Sequence, residues 1–168
     1  TKALVNEYRD LTDSDFVLNA DAGGATLPEK GGRPASFGMQ AAEKTYVTWD
    51  MTARNPGGHS SRPRVDNAIY DLANALTKIQ AYKFPVSYND LTRAYFKGTG
   101  VNTQGELGKA MRSFASNPKD PAAIATLRAN SSYVGALGTT CVATMLRAGH
   151  AENALPQSAT ATVNCRVF

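Results

Sequence analysis

Two stretches of this chain alternate apolar and polar side chains with a period of two, and they constrain the fold more than any other feature. Over 44–53, Val47, Trp49, Met51 and Ala53 fall on one side, opposite Tyr46, Thr48, Asp50 and Thr52. Over 158–167, Ala159, Ala161, Val163, Cys165 and Val167 oppose Ser158, Thr160, Thr162, Asn164 and Arg166. Successive side chains of a strand point to opposite faces, so each stretch is a strand with one face in a core and the other in water. Such strands need an apolar layer over their inner phase. A helix after the first strand supplies it: Ile69, Leu72, Ala73, Leu76 and Ile79 form an apolar stripe, with Asp66 placed to cap it.

The other elements follow from breaks and periodicity. Leu4, Val5, Tyr8 and Leu11 share one helical face, and Phe16, Val17 and Leu18 read as a short buried strand. The stretch 21–38, with its glycine pairs and prolines, is a loop or a small hairpin turning at 29–32, and a candidate boundary. Segments 88–97, 105–116 and 121–130 read as helices broken at 102–105 and at Asn117 and Pro118, forming a helical insertion over about 84–137. Segment 139–147 is rich in β-branched residues but cannot be phased, and with 158–167 it makes a hairpin around 149–157. The class is α+β, an antiparallel sheet with helices on one face.

At 168 residues the chain is one domain, or one and a piece. Charged residues are 19% of it, but uncharged polar residues fill the difference and argue against disorder. The net charge of +4 is spread, with Arg93, Lys97, Lys109, Arg112, Lys119 and Arg128 mixed among Asp90, Glu106 and Asp120. Without a basic and aromatic recognition motif, no nucleic-acid partner is expected. No stretch is apolar enough for a membrane span, and the first residues hold no signal-peptide core. The compartment stays open.

Three places carry groups suited to chemistry. His59 stands in a glycine-rich turn, Gly57-Gly58-His59-Ser60-Ser61-Arg62-Pro63, between a strand and a helix. Asn153 stands in a second turn, Asn153-Ala154-Leu155-Pro156, and Arg166 lies on the polar phase of the strand that follows, suited to a bidentate carboxylate pair. Asp21 precedes Gly23 and Gly24, where a carboxylate serves equally as a turn former or as a hard ligand for a metal. On the residues alone, each also suits an ordinary turn. His150 reads as an exposed turn residue. Cys141 and Cys165 form no zinc site or disulfide scaffold. They read as two small buried side chains, since a bridge requires a close non-hydrogen-bonded strand pair.

Taken in order, Lys44-Thr45-Tyr46-Val47, the Gly57 to Pro63 turn with Asn67-Ala68-Ile69, and Asn153-Ala154-Leu155-Pro156 with Arg166 resemble one known domain. It is the lid or dimerisation domain of the aminoacylase and glutamate carboxypeptidase family, the twentieth metallopeptidase family. Its members are zinc exopeptidases and amidohydrolases and include succinyl-diaminopimelate desuccinylase. The resemblance implies a ferredoxin-like lid over 44–168, preceded in 1–43 by the last strand and loop of an α/β catalytic domain.

It also implies roles. His59 is similar to the histidine that crosses a dimer interface and stabilises the oxyanion in the partner's site. Asn153 is similar to a second polar donor, Arg166 to the arginine that holds the substrate's free carboxylate, and Asp21 to a terminal zinc ligand. The implied cofactor is zinc, two ions in the full-length parent. The implied partners are a second copy and a small peptide or N-acyl amino acid. The family's His-x-Asp strand, bridging aspartate, Glu-Glu pair and final histidine have no counterpart here, so this chain is expected to be inactive alone. Relatives continue past the arginine strand, and the exposed edge favours association. The alternative is a non-catalytic dimerisation module of a protein lacking the zinc site.

Overall fold

A three-stranded antiparallel sheet carries the strands read from the alternation. The computed structural model describes residues 2–16, 24–26, 32, 36–38 and 40–168. The chain separates into two units, Thr1–Ala41 and Ala42–Phe168.

In the first unit, α1 (Lys2–Glu7) is interrupted at Tyr8, whose φ of −125° and ψ of 43° leave the helical region, and resumes as α2 (Arg9–Thr12). Leu4, Val5, Tyr8 and Leu11, expected on one helical face, are exposed. The stretch expected to be a loop or a hairpin contains a hairpin: β1 (Gly24–Thr26) pairs antiparallel with β2 (Ser36–Gly38). Phe16 is exposed and in no strand, while Val17, Leu18 and Asp21 lie outside the described residues.

In the second unit, β3 (Thr45–Arg54), β5 (Thr140–Ala148) and β7 (Ser158–Val167) form the sheet in the order β3-β7-β5. The last strand in sequence is therefore the middle one. Its inner phase is buried throughout the centre: Ala159, Ala161, Val163 and Cys165. Helix α3 (Ala68–Ala81) lies over that face and packs Ala68, Leu72 and Leu76 against Ala159, Ala161, Met51 and Ala53. The alanines let the helix come close, and full burial of Leu72 contributes about 2 kcal/mol. Trp49, one step along β3 from Met51, lies outside that helix-covered cluster and stays 63% exposed, although the alternation places it on the inner phase.

Two local expectations shift. Asn67, not Asp66, caps α3, its carboxamide oxygen accepting from the N–H of Ile69 at 2.9 Å. Asp66 instead pairs with Arg64. The buried stripe accordingly begins at Ala68 and Leu72, with Ile69 exposed. Segment 139–147 resisted phasing because β5 carries a bulge: Ala143 faces Val163 and Met145 faces Thr162, so Thr144 is extra. Alternation reverses there, as a bulge requires.

The insertion holds α4 (Asp90–Asn102), α5 (Gly105–Ser116), α6 (Pro121–Arg128) and a 3₁₀ turn (Val134–Leu137) around a core of their own. Phe96 and Phe114 meet edge to face at 5.1 Å in its centre, beside Met111 and Leu127. Helix α4 outruns the expected end near Lys97 through Gly98 and Gly100. A Cβ on Gly100 would stand 2.9 Å from that of Met111, so close contact with α5 outweighs the poor helix propensity of glycine.

The reading of Cys141 and Cys165 as unbridged is corrected. They are direct partners in the β5–β7 ladder and joined by a disulfide, with Cα atoms 4.1 Å apart, the close spacing of a non-hydrogen-bonded pair. The bulge falls after Ala143 and leaves this register intact. Protein prepared without reductant is expected to show no free thiol when denatured. Reduction is expected to lower the unfolding free energy by about 3 kcal/mol, because the bridge spans a sequence separation of 24 residues. Thiol titration and paired denaturant curves check both.

Candidate functional site

The β3–β7 ladder ends at Arg54 and Ser158, and one more bond, from the N–H of Asn55 to the carbonyl of Gln157 at 3.1 Å, carries it a step further. Pro56 and Pro156 then interrupt both chains, since neither has an N–H to continue a ladder. The chains meet again as β4 (Gly58–His59) and β6 (Ala154–Leu155), where His59 faces Ala154. The N–H of Ser60 donates to the carbonyl of Asn153 at 2.9 Å. Two residues read separately in the sequence thus come together at one end of the sheet. Asn153 makes the contact through its backbone, which leaves its exposed carboxamide available.

Glycine is required in this turn. Gly57 has φ +72°, and a Cβ there would stand 2.7 Å from the Gln157 side chain and 3.1 Å from the Leu155 carbonyl oxygen. Gly57 also donates its N–H to the Asn55 carboxamide oxygen at 2.9 Å. Beyond it, the N–H of Arg62 donates to the His59 carbonyl at 3.0 Å and closes a tight turn.

That turn orients the imidazole. The backbone N–H of Ser61 donates to Nδ1 of His59 at 3.2 Å, and the Ser61 hydroxyl lies 2.8 Å from the same atom. A backbone N–H is always a donor, so Nδ1 is an acceptor and the proton of the neutral ring is assigned to Nε2. The exposed side of His59 therefore presents an N–H donor. Ser61 was quoted in the sequence motif without a role, and its spacing of two from the histidine in a turn is the signal that would have found it. Arg64 binds Asp66 through two bonds of 2.9 and 3.1 Å, which hold that carboxyl below the usual carboxylate range.

Arg166 is elsewhere. It faces Tyr46 on one side and Thr140 on the other, with its guanidinium 4.7 Å from the centre of the Tyr46 ring. Eight strand residues separate its position from the Ser158 end, roughly 26 Å at about 3.3 Å each. Next to it Lys44 donates to the carbonyl of Gly138 at 2.8 Å and to the Thr140 hydroxyl at 3.3 Å. Burial first, and the Arg166 charge second, hold the Lys44 ammonium below the ordinary lysine range. His150 is exposed in the turn between β5 and β6, as expected.

Among the described residues, no three His, Cys, Asp or Glu side chains come together as a metal-binding group, and Asp21 lies outside those residues. Nor is any helix among them long and apolar enough to cross a membrane.

The sequence pattern of the peptidase dimerisation domain matches residues 41–168, which hold both ends of the sheet and the insertion. The chain belongs to this family. This is the domain that the Gly-Gly-His turn and the Asn153 and Arg166 segments resemble. Among solved structures, the chain is similar to an M20 family metallo-carboxypeptidase from Sulfolobus solfataricus, at 18% identity and a TM-score of 0.42. The match covers 86% of this chain and 34% of that one. None of the curated proteins compared with the chain matches it.

Because Gly57 is needed both for its positive φ and for its missing Cβ, Gly57→Ala is expected to cost about 1 to 3 kcal/mol and to separate the two turns. Thermal unfolding reads the first effect. Loss of slow amide exchange at Ser60, whose N–H binds Asn153, reads the second.

Proposed function

We propose that this dimerisation domain serves a zinc-dependent hydrolase that cleaves an amide or peptide bond next to a free carboxylate. Residues 1–43 then belong to its catalytic domain, 44–168 form the lid, and Asp21 is one metal ligand. Zinc in such an enzyme polarises the scissile carbonyl and activates a water. The described residues hold no group for it, and the remaining ligands would come from outside them.

The observation that carries the proposal is the two-residue ladder holding His59 beside Asn153, with the imidazole exposed and its proton on Nε2. An N–H donor fixed before the reaction stabilises an oxyanion without reorganising as charge develops, and one such donor is worth a factor of about 10² to 10³ in kcat. Asn153 follows in the same turn, held through its backbone carbonyl by Ser60, and its exposed carboxamide is proposed as a second donor. Arg166, with its guanidinium 4.7 Å from the Tyr46 ring centre, offers its N–H groups to the substrate carboxylate.

A small substrate cannot bridge roughly 26 Å of strand, even with both side chains extended toward it. His59 and Arg166 of one chain therefore serve different copies of the site, and each site draws on two chains. Edges of β3 and β5 that pair with no strand among the described residues, and exposed Val142, Met145 and Leu146 on β5, support association of two copies.

In the intact enzyme, His59→Ala is expected to lower kcat by about 10²-fold or more with little change in KM. Arg166→Ala is expected to raise KM for carboxylate-bearing substrates above all. Mixed dimers of the two variants, each impaired as a homodimer, are expected to regain activity, since one of their two sites has both wild-type groups. Undiminished turnover of the His59→Ala homodimer would remove the histidine from the mechanism. Absence of both zinc and hydrolysis in the intact protein would leave an association module.

A further inference from the structure

The corner of the sheet far from His59 gathers two cations on one face. Tyr46, Arg166 and Thr140 are direct cross-strand partners and so share a face. The Lys44 ammonium reaches that face by its bond to the Thr140 hydroxyl at 3.3 Å. Neither Lys44 nor Arg166 has an acidic partner: among the described residues the ion pairs are Arg9 with Asp13, Arg64 with Asp66 and Lys109 with Glu106. Glu43, next in sequence to Lys44, is in none of them. Asp50, the acid further along β3 on the same face, lies four residues from Tyr46, about 13 Å away. It accepts from the Thr162 hydroxyl at 2.9 Å.

The donors are only partly used. Arg166 lies over the Tyr46 ring and enters none of the described ion pairs, which leaves its guanidinium fork open for one carboxylate. Lys44 spends two of its three N–H donors on Gly138 and Thr140, keeping one donor and its whole charge. A single carboxylate on Arg166 leaves the half-buried ammonium without a counter-charge. We propose that Lys44 and Arg166 together bind a ligand end bearing two carboxylates, so that the residue released by the hydrolase is acidic, with one carboxylate on Arg166 and the second on Lys44. This rests on the reading of Arg166 as the carboxylate-binding arginine. Burial first and the Arg166 charge second depress the Lys44 ammonium, and a bound second carboxylate opposes both.

The test is a titration of the isotope-labelled chain with acetate, succinate and inorganic phosphate at constant ionic strength, following the Arg166 side-chain N–H and the Tyr46 and Thr140 amides. Succinate is expected to half-saturate at a concentration about tenfold below acetate, since the second charge pair adds an interaction that acetate lacks. Lys44→Gln keeps a donor for Gly138 and is expected to weaken succinate far more than acetate, bringing the two to the same level. Lys44→Arg, which restores the charge, is expected to restore the preference. Equal binding of succinate and acetate by the wild-type chain, or a preference that survives Lys44→Gln, would overturn the proposal. So would phosphate binding more tightly than succinate. Acetate binding that survives Arg166→Ala would instead sink the carboxylate role of Arg166, whereas equal binding that still needs Arg166 leaves that role standing and removes only the second carboxylate.

Discussion

Ten backbone pairs between β3 and β7, from Thr45 facing Val167 to Arg54 facing Ser158, hold the second unit together. They join segments separated by more than half the chain, so their closure entropy is met only when the sheet and helix α3 form together. The rest of the sheet and helix α3 are placed by this ladder. β7 becomes the central strand, α3 settles over the alanines of its inner phase, and the two ends of the ladder become the places of His59 and Asn153 and of Lys44 and Arg166. A slip of one residue would turn Ala159, Ala161, Val163 and Cys165 to water, which makes the register unambiguous.

At one end, the ladder is interrupted by Pro56 and Pro156 and taken up again at Gly58, a local sequence of constraints that leaves His59 in a turn with its orientation decided by Ser61. At the other end, Tyr46, Thr140, Lys44 and Arg166 meet because three strands run in register there. The sheet acts as a spacer between an N–H donor and a pair of cations. In the function proposed, the chemistry of this peptidase dimerisation domain is divided between its ends, and association of copies brings complementary ends to one substrate.

The insertion follows a different logic. Its four helical pieces bury Phe96, Met111, Phe114 and Leu127 among themselves, so its order does not depend on the apolar face under α3. Both strands that flank the crossover belong to one sheet, and that explains how a chain can carry so much helix between β3 and β5 without disturbing the register of either. The disulfide adds a second tie between β5 and β7 where the ladder lies on the far side of the bulge from the turn.

Much of this was legible along the chain. Period-two alternation, an apolar helical stripe, turn residues at Asn55 to Gly58 and at Asn117 and Pro118, and motifs in a known order determined the α+β class, the insertion and the family, because each is a local or additive signal. Other features were not local. Asn67 displaced Asp66 as the cap because Arg64 claimed the carboxylate, α4 ran past its glycines because α5 lay against them, and a bulge hid the phase of β5. The pairing of Cys141 with Cys165 depended on register, which no single strand contains. Most of all, the sequence by itself determined that His59, Asn153 and Arg166 are present, while only the tertiary structure decided that the first two adjoin and the third stands a strand's length away. Distance between residues far apart in sequence is set by which edges pair, and pairing is a property of the folded sheet rather than of either strand.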